Sequence, residues 1–245
     1  MYNQIHFASQ YLAAAGISFL EHKADDSHTN VGFNTDTQSF ETRELNDNNL
    51  KLSFDLPNFQ LLWSTGESMA LDGKNHAQVV QWLQSSSNLV ALDKPYVFDL
   101  HYELPFDWDD TFSFELSDMT LIRELIELRK LANNALHSFL EAHHLSSEIR
   151  IWPHHFDTGA FVVLEDGSDK SVGMGLAIPD SMVNDHYFYM SGYLGHDALD
   201  TSEFGSLSLG EWKNDGFKGA VLPTKAIEQS QAVQFLTEAY TQYIK

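Results

Sequence analysis

Leu50-Lys51-Leu52-Ser53-Phe54-Asp55-Leu56 alternates apolar and polar side chains without a break. Successive side chains of an extended chain point to opposite faces, so this run describes a strand with one face buried and one in water. Before it, Asn46-Asp47-Asn48-Asn49 forms a polar hairpin loop back to a strand at 39–45. After it, 59–64 and 68–71 continue the pattern around Thr65-Gly66-Glu67. The first third of the chain therefore reads as an antiparallel meander.

Helices are expected on either side. Residues 5–15 are amphipathic, with Gly16 as a stop and a strand at 17–21. Asp72-Gly73 turns the chain into a helix at 75–84, which the run Ser85-Ser86-Ser87-Asn88 ends. A strand is expected at 96–104 and an acidic, aromatic loop at 105–118. Helical spacing is clearest at 121–144, where Leu121, Leu125, Leu128, Ala132, Ala135 and Phe139 recur on one face, with Thr120 as cap. A second meander follows: 148–164 extended, a turn at Glu165-Asp166-Gly167-Ser168, then strands at 171–178, 186–194 and 217–222. A last helix covers 231–243. The fold class is α+β, mostly antiparallel sheet built from two meanders with about four flanking helices. It is one domain over 1–245, or two packed halves of about 1–90 and 91–245.

Composition narrows the function classes. The 245 residues carry 35 acidic and 14 basic groups, a formal net charge of −21. Such a field repels phosphate backbones and anionic membrane surfaces, so neither nucleic acid nor membrane is an expected partner. The chain has no cysteine, which removes disulfides, thiolate metal sites and cysteine nucleophiles. No signal peptide pattern opens the chain and no run of about 18 apolar residues occurs, so the cytoplasm is the expected compartment. Phosphate-cradling loops, the dinucleotide-binding GxGxxG and the nucleophile elbow GxSxG are all missing from the sequence.

The candidate site is Trp152-Pro153-His154-His155-Phe156-Asp157. In an extended chain, His155 and Asp157 share one face, while His154 falls with Trp152 and Phe156 on the other. Pro153 cannot donate to a ladder and implies an edge or bulge. His155 with Asp157 can act as a base and its orienting partner, or as ligands to a divalent metal, the one cofactor this pattern points to. The turn Asp25-Asp26-Ser27-His28-Thr29-Asn30 offers Asp26 and His28 to the same metal, or else only satisfies its own backbone. Gly173 and Gly175 bare one face of a strand beside Tyr187, Tyr189, Ser191 and Tyr193. The glycines either open an aromatic pocket in which Trp152, His154, Tyr187 and Tyr189 bind a small molecule, or simply make room for large neighbours.

Ile151-Trp152-Pro153-His154-His155-Phe156-Asp157 resembles the hallmark of an uncharacterised bacterial family, the domain of unknown function DUF5996. Tyr187-Phe188-Tyr189, Trp212 and Gly219-Ala220-Val221-Leu222-Pro223 are similar to later features of that family. Met190-Ser191-Gly192-Tyr193 departs from it, without the proline and tryptophan of the family's pattern. The resemblance implies a bacterial cytoplasmic protein and marks 152–157 as a signature; it implies no activity. Two functions stay open: a small-molecule-binding or metal-dependent, enzyme-like protein with its site at this segment, or a non-catalytic protein in which the segment stabilises an edge strand.

Overall fold

The computed structural model describes residues 1–90, 92–165 and 167–245. Ala91, where the two expected halves meet, and Asp166 of the expected turn lie outside the described residues. The described residues form four helices and two antiparallel sheets, the α+β architecture expected. The chain divides into two compact units, Met1–Arg129 with Ile151–Phe156, and Lys130–Arg150 with Asp157–Lys245.

The first unit opens with α1 (Tyr2–Phe19), buried continuously from Ile5 to Gly16. A helix apolar or small on every side, as at Ala13-Ala14-Ala15, belongs inside a core rather than on a surface. Gly16 does not stop it. A Cβ there would stand 2.5 Å from the His28 carbonyl oxygen, so the glycine serves a close backbone approach instead. Residues 17–19 continue the helix where a strand was expected.

The meander follows as β1 (Gly32–Asn34), β2 (Ser39–Glu41), β3 (Leu52–Asp55), β4 (Gln60–Trp63) and β5 (Ser68–Ala70), paired in sequence order. Leu52 and Phe54 are buried while Ser53 and Asp55 are only half-buried, as their alternation requires. Register is fixed by the pairs Phe40↔Phe54 and Phe54↔Leu61. α1 lies against β3.

Asn75 caps α2 (His76–Leu89) in a reciprocal capping box with Gln78. The helix runs through the serines expected to end it, because the buried Trp63 indole donates to Ser86 Oγ at 2.8 Å. Residues 96–104 form no strand. Their burial alternates as a strand's would, but the chain is laid along α1. Tyr96 donates to the Tyr11 carbonyl at 3.1 Å, and Tyr102 to Gln10 Oε1 at 2.7 Å. α3 (Met119–Ala142) is capped by Asp118, which accepts from the Thr120 and Leu121 amides, rather than by Thr120. The three-residue β6 (Arg150–Trp152) follows it.

The second unit is built on β7 (Asp157–Val163), β8 (Lys170–Ala177), β9 (Tyr187–Leu194), the short β10 (Asp197–Ala198), β11 (Glu211–Lys213) and β12 (Gly219–Pro223). The strands of this unit pair in the order β11-β12-β9-β8-β7, with β10 beside β9. α4 (Gln229–Tyr243) packs its buried Phe235, Leu236, Ala239 and Tyr243 toward β8, β9 and β12. No helix among the described residues is long and apolar enough to cross a membrane.

Candidate functional site

The signature segment is not an extended strand. β6 ends at Trp152, residues 153–156 turn, and the Phe156 amide closes the turn on the Trp152 carbonyl at 2.7 Å. Phe156 sits at φ +57, a left-handed conformation unusual for a bulky residue. Alternation of faces therefore does not apply within the motif. The turn splits it instead into an inner part and an outer part.

The inner part is Pro153 and Phe156. His6 Nε2 and Gln10 Nε2, both from α1, donate to the Pro153 carbonyl at 2.7 and 2.9 Å. The Phe156 ring is fully buried and stacks on His6 at 4.5 Å with an 8° tilt. Arg129 also lies over this ring, the guanidinium 4.4 Å from the centroid, and donates to the Phe156 carbonyl at 2.6 Å. Burial pushes His6 down to about 4, only partly countered by its bond to Pro153. The unfolded chain takes up this proton near the ordinary 6.5, the native chain only near 4. Stability from the neutral ring is therefore complete above pH 6.5 and is lost as pH falls toward 4. His6→Gln keeps a donor for Pro153 and should flatten that loss, seen as urea midpoints falling less between about pH 6.5 and 4 than in the wild type. An unchanged slope would remove His6 as its source.

The outer part is Trp152, His154 and His155, which line a cleft of 460 Å³ with Asp25, Asp26, Thr29, Asn30, His101 and Tyr102. The two imidazoles of the motif lie 4.1 Å apart, and Tyr102 flanks His154 at 5.4 Å. A two-way backbone bridge, Val31 with Ile151 at 2.7 and 3.0 Å, holds the acidic turn beside the motif. Burial, then the neighbouring His155 and His101, push His154 down to about 4, so its ring is neutral at pH 7. No lysine or arginine is among the described residues that line the cleft.

In the acidic turn Asp26 takes φ +55, and its carbonyl accepts from the amide and hydroxyl of Thr29, each at 2.9 Å. Its carboxylate stands 3.2 Å from His101 Nε2. Ligating atoms of His22, Asp26 and His28 all lie within 4.8 Å of one another. His28 is buried, and burial followed by the charge of His22 holds it below the usual histidine range.

Of the four residues expected at a metal, Asp26 and His28 come together, joined by His22, which was not foreseen. His155 lines the cleft. Asp157 is buried in the second unit, where it accepts from the Tyr189 hydroxyl at 2.5 Å, and no residue of this motif belongs to the metal-type cluster found among the described residues. Tyr187 donates to Asp180 at 2.6 Å. The glycine face is filled: the Tyr189 ring would be 3.0 Å from a Cβ on Gly175, and Tyr193 3.8 Å from one on Gly173. The glycines make room for rings, the second of the two readings that the sequence left open. His22, His101 and Tyr102 are the site residues the sequence reading missed. His22 stands four residues before Asp26, a spacing that was open to notice. Comparison with known protein families, curated proteins and solved structures finds no match to this chain.

Proposed function

We propose that the protein binds a small polar molecule in the cleft beside Trp152, His154 and His155, and is enzyme-like in handling it there. The observation that carries this is the cleft itself: an aromatic wall of Trp152 and Tyr102, neutral imidazole on His154, and the carboxylates of Asp25 and Asp26 in one concavity. Pockets of this size orient ligands by a few polar groups against apolar walls. With two carboxylates, no lysine or arginine among its described lining and a net charge of −21, the cleft favours ligands that bring hydroxyl or amino donors over phosphorylated ones. The likeness to DUF5996 rests on the motif and the order of elements, and supports the segment's importance rather than any activity.

A thermal-shift screen of polyols and amines tests this. A true ligand at about 100 times its dissociation constant adds about 2.7 kcal/mol, a shift of several degrees for a chain of this size. The response should vanish in Trp152→Ala and His154→Ala. A response that both variants keep would move the site elsewhere.

The alternative, in which the segment serves stability alone, draws its support from Pro153 and Phe156, whose backbone and ring are held from inside by His6, Gln10 and Arg129. It accounts for the inner part of the motif and leaves the two histidines on the cleft wall without a role.

A further inference from the structure

We propose that His22, Asp26 and His28 bind a divalent transition-metal ion at the mouth of the cleft. Two imidazoles and one carboxylate are a donor set suited to zinc, manganese or iron(II), leaving coordination positions open for water or a ligand. Their ligating atoms lie within 4.8 Å of one another, and bonds of about 2.0–2.1 Å to a tetrahedral ion place donors about 3.4 Å apart. Side-chain rotation can close that gap, because His22 is exposed and its ring already stands 5.1 Å from the His28 ring. The rigid member is His28, buried at 5% exposure on a backbone stacked against Gly16. Its one ring bond is the Lys23 amide donating to Nδ1 over 3.4 Å, long enough to be given up at little cost.

Asp26 makes the connection to the cleft. It is at once a member of this triad and a lining residue, with His101 on its other side. A dication held by two neutral rings and one carboxylate leaves a net positive charge at the cleft mouth. The open positions would then take a hydroxyl or carbonyl oxygen of the bound molecule and polarise it. This last point rests on the reading of the cleft given above; metal binding itself does not.

The test is titration of chelator-treated protein with zinc(II) and cobalt(II), followed by calorimetry and by visible absorption of the bound cobalt. One ion per chain is expected, with affinity at least about tenfold weaker in His22→Ala and in His28→Gln, and unchanged in His137→Ala, an exposed histidine of α3 outside the triad. His22 is exposed, so its variant reads binding without disturbing the fold. Equal binding by wild type and the His22→Ala/His28→Gln double variant, or no binding by folded wild type at micromolar metal, overturns the proposal. The two readings fail separately. Trp152→Ala should abolish the small-molecule response while keeping the metal. A wild type that binds metal but no molecule of the screen would sink only the cleft reading, and one that binds a molecule but no metal would sink only this one.

Discussion

Arg129→Ala should lower the unfolding free energy by about 3–5 kcal/mol, the largest loss expected from any single change near the motif. Arg129 is 1% exposed in a wall of aromatic rings, with its guanidinium 4.4 Å from Phe156 and 5.6 Å from Phe40. Truncation removes a volume the core cannot refill and a charge-assisted bond of 2.6 Å to the Phe156 carbonyl. It also frees a residue whose left-handed backbone is tolerated only while its surroundings hold it. Arg129→Lys keeps the charge but not the planar fork or the stacking, so it should recover less than half the loss. Urea denaturation gives both values, provided the slope of the transition is unchanged. A loss below about 1 kcal/mol would mean that the guanidinium does not organise the turn. His154→Ala, on the outer part of the same motif, should cost far less stability, since its ring lies on the cleft wall.

Gly16→Ala sets two effects of opposite sign against each other. Alanine is the better helix former by about 1 kcal/mol, and Gly16 lies inside α1. The new Cβ, however, would stand 2.5 Å from the His28 carbonyl oxygen and 3.3 Å from the Thr29 Cα. Both atoms are backbone and cannot rotate aside, so the loop or the helix must move. Overpacking of this kind costs about 1–3 kcal/mol, and the steric term should win. The displaced residues are His28 and Thr29, so the variant should also lose affinity for metal and for the cleft's ligand out of proportion to its loss of stability. A Gly16→Ala protein as stable as wild type, with binding intact, would show that the approach of α1 to this turn is looser than the geometry states.

Strand alternation was legible where a strand pairs with strands, as in Leu52 and Phe54 of β3, because burial there follows the pleat directly. It misled at 96–104, where the same period arises from a chain lying along a helix and bonded to Tyr11 and Gln10. It misled again at 153–156, where a four-residue turn hides between β6 and β7 and only Pro153 hinted at it. The extension of α2 through Ser86 depended on a tryptophan 23 residues earlier, a partner no local rule contains. The candidate site was legible as two short segments, 25–30 and 152–157. What joined them was the Val31–Ile151 bridge, a contact 120 residues apart in sequence, and with it came His22, His101 and Tyr102.

The amide of Gln10 gives the cleft a further property. Its nitrogen donates to the Pro153 carbonyl and its oxygen accepts from the Tyr102 hydroxyl. A planar amide cannot turn to serve one partner without leaving the other. The tyrosine wall and the histidine turn are thus geared through one buried side chain: a guest that shifts Tyr102 must either carry the 153–156 turn with it or break a bond in the core. The cleft should accordingly behave as a stiff mould, discriminating by shape among molecules with similar donors, more than as a compliant one that closes around whatever enters.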